Sequence, residues 1–287
     1  MSKVFFRRHH FVASLMAGLL FVSCADLAHI HHYALISENE MGRVLGAGYD
    51  FRQACLDRCQ LNAMRSFDVQ RGDQCDCKQF DEADQVTRKI ERSVRKYFAG
   101  LKDLSADELT NYKIDPIADA LKEGQFGHVT IEKKQVDAYS SIARVLLKAT
   151  TDAYRRNKIK EYITQANAPL QDLMSKLSFI LRNNLATEID FRKESLYAYY
   201  SELKQSRNLS DYEKGKAVGD YLTGVNEASR AKTRILNYAE AVEKMAAAHD
   251  EMYKNRDKLT EQAFRSLLSE YINHVEEIMD AVNDLHN

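Results

Sequence analysis

Residues 264–285 read FRSLLSEYINHVEEIMDAVNDL, and this stretch carries the clearest helical pattern in the sequence. Its apolar side chains recur at alternating steps of four and three residues. They are Phe264, Leu268, Tyr271, Val275, Ile278, Val282 and Leu285. This period matches one face of an α-helix and does not match the two-residue alternation of a strand. The stretch therefore predicts a helix whose apolar seam packs against other helices or against a second copy of the chain.

Similar helical signals extend back through most of the chain. Ser210–Glu213 has the Ser-x-x-Glu spacing of a capping box and predicts the start of a helix that runs toward Tyr253. Residues 131–163 carry apolar side chains at three- and four-residue spacing, which predicts another long helix. Pro169 suits the first turn of a helix, so it predicts a further helix start. Ser37–Glu40 is a second capping-box pattern, nearer the N-terminus.

The composition agrees with a helical protein and excludes several other classes. Only 2 of the 287 residues are proline and 11 are glycine, which excludes a collagenous chain and disfavours a barrel or sandwich of tight turns. The 41 basic residues are balanced by 42 acidic ones, so no overall basic field attracts nucleic acid. We predict an all-α fold, in which residues 81–287 form one elongated antiparallel bundle of long helices.

The first residues have the pattern of an export signal. Lys3, Arg7 and Arg8 give a positive start, and an apolar run follows over residues 11–22. This run is short for a membrane-spanning helix, which needs about 20 residues, and it suits the hydrophobic part of a signal peptide. Residues 20–24 then read LFVSC.

The LFVSC ending resembles the lipobox of bacterial lipoproteins. In that class the signal peptide is cut before the cysteine, which carries lipid and becomes the first residue of the mature protein. The resemblance implies a signal peptide over residues 1–23 and lipidation of Cys24, although Phe21 stands where the class usually has leucine. The alternatives are an ordinary secretory peptide cleaved after Ala25 and an uncleaved anchor.

A lipid on Cys24 would hold the protein at a membrane. Removal of Lys3, Arg7 and Arg8 from a chain with 41 basic and 42 acidic residues leaves a mature body with a net charge of −4. Two or more acyl chains anchor stably, because each buried CH₂ contributes about 0.8 kcal/mol. By resemblance to enterobacterial sorting rules, Ala25 after the cysteine favours the outer membrane. We expect an envelope protein facing the periplasm, with secretion as the alternative.

The four remaining cysteines lie close together in the sequence. They are Cys55, Cys59, Cys75 and Cys77. An even number of cysteines in an exported chain indicates disulfides, and we predict the nested pairing of Cys55 with Cys77 and Cys59 with Cys75. Two other connectivities remain open on the sequence alone. Four thiolates could instead hold zinc, but the single residue between the last two cysteines does not fit the usual zinc spacing.

Residues 24–80 are expected to form a tether and a cysteine-containing segment that precede the bundle. His29, His31 and His32 lie just after the proposed anchor. Three imidazoles this close could bind a transition metal, but a flexible and exposed tether explains them as well.

Motifs for catalysis or cofactor binding are not evident in the sequence. Gly219–Gly224 has the glycine spacing of a P-loop but lacks the lysine that follows, so these glycines predict a close helix crossing or a kink. Tyr197, Tyr199 and Tyr200 form a dense aromatic group that could stack on a sugar or a partner, or pack with their hydroxyl groups at the rim. We therefore expect a non-enzymatic protein without cofactor or metal.

Three functions remain open at this point. The first is a membrane-tethered scaffold that binds protein partners or itself through helical faces, as an accessory of a secretion or surface-assembly system. The second is an envelope protein that binds a small molecule, metal or glycan in the bundle. The third is a helical pore-forming toxin or effector, which would need an apolar segment able to enter a bilayer.

Overall fold

The computed structural model describes residues 27–44, 48–106, 117, 119–151 and 155–284. Almost all of these residues lie in helices, so the predicted all-α class is confirmed. The helices are α1 (Ala28–Val44), α2 (Phe51–Ser66), α3 (Gln70–Asp73), α4 (Lys78–Ser105), α5 (Lys133–Thr151), α6 (Arg155–Phe179), α7 (Ala186–Gln205), α8 (Asp211–Lys254) and α9 (Gln262–Asp284). A π-helical turn, Ile180–Leu185, joins α6 to α7. Two short strands, β1 (Gly124–Phe126) and β2 (Val129–Ile131), form an antiparallel hairpin.

The N-terminal part of the described chain is helical and packed, in contrast to the predicted tether. His29, His31 and His32 lie in α1, where the Nδ1 atom of His31 is 2.9 Å from the carbonyl oxygen of Lys102. The predicted capping box at Ser37 is also wrong, because Ser37 is buried in the middle of α1. Apolar residues that precede Ser37 at helical spacing enter the core, and this burial extends the helix back to Ala28. These residues are Leu27, Ile30, Tyr33 and Ala34.

The helix predicted over residues 131–163 is two antiparallel helices. β2 ends at Ile131, and α5 begins two residues later. Near the start of α5, the Lys134 ammonium lies 2.6 Å from the Asp172 carboxylate of α6. Near the end of α5, Lys148 donates to the side-chain oxygen of Gln165 at 3.2 Å, and Gln165 precedes Asp172 in α6. The two helices therefore run in opposite directions. Apolar residues keep helical spacing in both helices, so the pattern does not mark the turn between them.

Pro169 lies inside α6 and does not begin a helix as predicted. A proline inside a helix removes one backbone hydrogen bond and costs about 3 kcal/mol. Leu170, Leu173 and Leu177 follow it and are each 0% exposed. Burial of a leucine side chain contributes about 1.5–3 kcal/mol, so these three residues together outweigh the cost of the proline.

The two C-terminal helices agree with the sequence. Ser210 and Glu213 form the predicted capping box at the start of α8, which then continues for 44 residues. The predicted seam of α9 is buried against α8 and α1 of the same chain, with Ile272 and Met279 replacing Tyr271 and Ile278 as its most buried members. The seam therefore serves the intramolecular core and is not free to join a second copy. Leu285 lies outside the described residues.

α8 runs antiparallel to the continuous helical run of α6, the π-helical turn and α7, and this gives the bundle two distinct ends. Asp190 of α7 pairs with Lys232 of α8 at 2.6 Å. Arg182 lies before Asp190 in the chain, and its partner Glu243 lies after Lys232. At one end, the ring of His29 in α1 lies 5.7 Å from that of Phe264 in α9. We call this the N-terminal end. The connection between α7 and α8 lies at the opposite end, which we call the distal end.

A hydrogen-bonded network crosses the core between α4, α6 and α8. His249 is 0% exposed, its Nδ1 atom lies 2.9 Å from Oδ1 of Asn167, and its Nε2 atom lies 2.6 Å from the Tyr97 hydroxyl. Because the amide oxygen can only accept, Nδ1 carries the proton and Nε2 accepts from Tyr97. Burial lowers the pKa of His249 to about 3, so the imidazole stays neutral.

This network predicts a pH-dependent loss of stability. The unfolded chain protonates His249 near pH 6.5, whereas the folded chain does so only near its pKa of about 3. Between these values the unfolded state binds the extra proton, so stability falls as the pH falls. We expect this residue to contribute a loss of about 1.4 kcal/mol per pH unit below 6.5.

Urea unfolding of the wild type and of His249→Gln at several pH values measures this effect. Burial raises the pKa of Asp84 to about 6 and that of Glu91 to about 7, which gives the opposite pH dependence in both proteins. The difference between the two proteins isolates His249. Parallel stability curves for the two proteins would contradict the assignment.

Candidate functional site

Two disulfides fasten the segment between α2 and α4 to α2. Cys55 pairs with Cys77 and Cys59 pairs with Cys75, with Cα–Cα distances of 5.7 and 6.0 Å. The predicted nested pairing is therefore confirmed. The spacing of four residues from Cys55 to Cys59 places both cysteines on one side of α2, facing the returning chain. The disulfide-linked segment follows α1 in the chain, so it is not at the N-terminus of the fold as predicted.

An apolar groove lies beside this segment, between α2, α7 and the first turns of α8. Its volume is about 210 Å³. We call it the tyrosine groove, and its walls are formed by Met64, Leu196, Tyr199, Tyr200, Leu203, Leu209, Ala217 and Tyr221. Charged side chains of α8, namely Glu213, Lys216 and Asp220, stand at its edge.

The aromatic group predicted from the sequence contributes directly to this groove. Tyr199 and Tyr200 line it, and Tyr200 stacks on Tyr221 with ring centroids 5.1 Å apart. Tyr197 lies outside the lining, with 58% of its surface exposed and its ring 6.1 Å from that of Tyr221. The sequence did not indicate Tyr221, Leu209 or Met64, because these residues come from other segments and meet only in the folded chain.

Exposed apolar side chains are concentrated at the distal end. Of the ten large apolar residues most exposed in the described chain, eight lie on α2, the loop after it, α7 or the start of α8. Phe67 and Val69, which follow α2, are each 85% exposed. Apolar surface gathered at one place marks an interaction site in a folded protein.

A polar cluster next to the groove has its charges already paired. Glu188 is buried and accepts from Arg58, while the Nε2 atom of His128 lies 3.3 Å from its other oxygen. The Arg58 guanidinium also lies over the rings of Phe80 and Phe191, at 5.3 and 5.5 Å. These contacts hold α2, α4, α7 and the β-hairpin together, and they give the cluster a structural role.

The glycines of the rejected P-loop pattern differ from one another in their surroundings. A Cβ atom added at Gly224 would lie 3.1 Å from a methyl carbon of Leu196 in α7, so this glycine allows the predicted close helix crossing. A Cβ added at Gly219, or at Gly215 one turn earlier, would meet nothing within 4 Å from any other element of the described chain. The crossing therefore explains only one of the three positions.

Other predicted site residues are not brought together by the fold. Cys24 lies outside the described residues. Within the described ranges, no group of three histidine, cysteine, aspartate or glutamate side chains is placed to hold a metal ion. Nor is any helix in this part of the chain both long enough and apolar enough to cross a bilayer.

Comparison with known protein families, curated proteins and solved structures finds no match to this chain. Inferences about its function therefore rest on its own residues.

The nested disulfides predict an unequal response to their removal. They close loops with sequence separations of 22 and 16 residues. One bridge of this loop length stabilises by about 3 kcal/mol in the chain-entropy model. Because either bridge alone closes nearly the same loop, removing one pair should cost much less than this, and removing both should cost at least the full amount.

Urea unfolding of the two double alanine variants, Cys55→Ala with Cys77→Ala and Cys59→Ala with Cys75→Ala, and of the quadruple variant checks this prediction. Independent and equal losses for the two pairs would contradict the nested arrangement.

Proposed function

We propose that this protein is a non-enzymatic, lipid-anchored component of the bacterial cell envelope that acts as an interaction scaffold. In this proposal, Cys24 carries the lipid, the outer membrane holds the protein on its periplasmic side, and the distal end binds a protein partner. The partner belongs to a secretion or surface-assembly system.

The observation that supports this proposal is the separation of the two ends of the bundle. The first described residue, Leu27, precedes α1 at the N-terminal end, three residues after Cys24. The tyrosine groove lies at the start of α8, which ends beside α9 after 44 residues. At 1.5 Å per residue, α8 is about 66 Å long. A lipid at Cys24 would therefore leave the groove far from the anchoring membrane and accessible to a periplasmic partner.

The size of the tyrosine groove favours a protein segment over a small-molecule ligand. Ligand pockets for drug-sized molecules are typically about 300–1,000 Å³. The groove measures about 210 Å³, which suits one or two apolar side chains of a helix or an extended segment. The edge has one basic and two acidic side chains, so a basic residue beside the apolar anchor of the partner would add a favourable interaction.

A neighbouring hollow gives weaker support to ligand binding. It has a volume of about 360 Å³ and is lined in part by Arg58, Arg65 and His128. The guanidinium of Arg65 already pairs with Glu202 at 2.8 Å, and Arg58 and His128 share Glu188. An anionic ligand would have to compete with these carboxylates.

The anchor is tested by labelling cells with an alkyne analogue of palmitate. Wild-type protein should be labelled and should fractionate with membranes, whereas Cys24→Ala should lose both properties, because the thiol that carries the lipid is gone. Equal labelling of the two proteins would end the lipoprotein hypothesis.

The groove is tested by placing a photo-crosslinking amino acid at Ala217 in the full chain in cells. We expect an adduct with an envelope protein, and Leu203→Asp should abolish it by placing a charge in the apolar wall. The same amino acid at Glu240, an exposed position on α8 away from the groove, is the matched control. A melting curve of Leu203→Asp separates loss of binding from unfolding. Equal adducts at both positions, or none at Ala217, would contradict a binding role for the groove.

A further inference from the structure

A second apolar surface lies on the side of α8 that points away from α7. We call it the outer face, and it consists of Tyr212, Gly215, Gly219, Leu222 and Asn226. Successive members are three and four residues apart, so they follow one line along the helix. Tyr212 is 81% exposed and Leu222 is 53% exposed. Large apolar side chains on a free helix face are typical of a surface that another helix covers.

The backbone between these two side chains is open to close approach. In the part of the chain that the structure describes, no atom other than those of the adjoining residues and the helix's own backbone lies within 4 Å of a Cβ built on Gly215 or Gly219. Glycine is among the poorest residues for a helix interior, and here no contact in the described chain requires it. Gly224 gives a contrast on the same helix, because its missing side chain makes room for Leu196.

We infer that the outer face binds the same face of a second copy of this chain, in a parallel crossing of the two α8 helices. The glycines lie at the crossing point, where the two backbones approach each other. Tyr212 and Leu222 pack against the other helix on either side of that point. This pairing uses a surface different from the floor of the tyrosine groove, and it does not depend on the identity of the groove's partner.

The charges beside the outer face select a second copy in the parallel orientation. If Tyr212 takes the first position of a heptad, Asp211 and Lys216 take the two flanking positions. In a parallel pair, Asp211 of one chain faces the partner's Lys216, and by symmetry this attraction occurs twice. An antiparallel pair would bring Lys216 close to the partner's Lys216. Lys216 also pairs with Asp220 of its own helix at 2.9 Å, but this pair is exposed and of the kind that contributes little, so Lys216 can share the partner's Asp211. The same two side chains thus favour one orientation and oppose the other.

Two further features agree with a parallel pair. Asn226 lies at a core position of the same heptad pattern, where a single asparagine specifies register and a two-stranded state. Parallel α8 helices also place the N-terminal ends of both bundles on the same side, so two chains anchored in one membrane could pair.

The outer face is small, which sets the expected strength of the pair. It covers 15 residues of helix, and its first and last Cα atoms are about 21 Å apart along the axis at a rise of 1.5 Å per residue. A stable complex usually buries about 800 Å² on each partner, and one face of this length provides less. The pair should therefore be weak in dilute solution and more populated where a membrane concentrates the chains.

Disulfide crosslinking of the full chain in the cell envelope tests this pairing. In Gly219→Cys, the new thiol lies at the crossing point, so we expect a homodimer on a non-reducing gel that disappears on reduction. Glu240→Cys, exposed on the same helix but outside the outer face, is the matched control and should give little dimer. Absence of the homodimer in Gly219→Cys, equal dimer in both variants, or adducts of Gly219→Cys with other proteins only would overturn the proposal.

A charge exchange in the Gly219→Cys protein then tests the orientation. Adding Lys216→Asp places two acidic groups opposite each other, and we expect the crosslink yield to fall by about tenfold or more. Adding Asp211→Lys as well reverses both charges and should restore the yield. Melting temperatures of the three proteins show whether folding is unchanged. A yield that does not respond to Lys216→Asp, or that is not restored by the exchange, would contradict the parallel pair.

Discussion

Four other helices pack against α8, and its alanine-rich side organises much of the bundle. α8 contacts α1, α6, α7 and α9, and its buried positions include many alanines. They are Ala228, Ala231, Ala239, Ala241 and Ala248. Small side chains allow several helix axes to approach one helix, while larger neighbours fill the remaining space. Because every long helix after α5 packs on this one, the length of α8 sets the distance between the two ends of the bundle.

Where the alanines end, the character of α8 changes. From Ala228 onward the helix is covered by other helices, whereas residues 211–227 rest mainly on α7. This first part carries exposed Tyr212, Val218 and Leu222 together with three glycines. Glycine inside a helix costs about 1 kcal/mol relative to alanine, and the exposed apolar side chains gain little from burial. The distal end therefore contributes less to the stability of a single chain than the remainder of the bundle does. This agrees with a surface used for binding.

The sequence predicted those features that depend on local pattern. The helix class, the capping box at Ser210 and the pairing of the four cysteines follow from spacing within short segments, and the structure has all of them. The errors arise where tertiary packing overrides a local signal. Burial extends α1 past Ser37 and carries α6 through Pro169. No local pattern could have shown that the apolar line of residues 131–163 turns back on itself.

The candidate site was predictable only in part for the same reason. Tyr199 and Tyr200 stand out because they are adjacent in the sequence, but the groove also needs Met64 and Tyr221. These residues meet because the antiparallel packing of α7 and α8 places them at one level beside α2. The polar network around His249 was missed because His249, Tyr97 and Asn167 lie on three helices, each with an ordinary polar neighbourhood in the sequence.

The β-hairpin has a consequence for how diverged forms of this fold could be recognised. Its turn residue Gly127 has a φ of 56°, and a Cβ atom there would lie 2.8 Å from the carbonyl oxygen of Gln79. Gln79 comes two residues after Cys77, so the hairpin rests on the backbone just beyond the outer disulfide. Any other residue would have to push these two segments apart. A glycine about fifty residues after a Cys-x-Cys pair, with two more cysteines four apart upstream, is therefore a physical signature that should outlast the surrounding sequence.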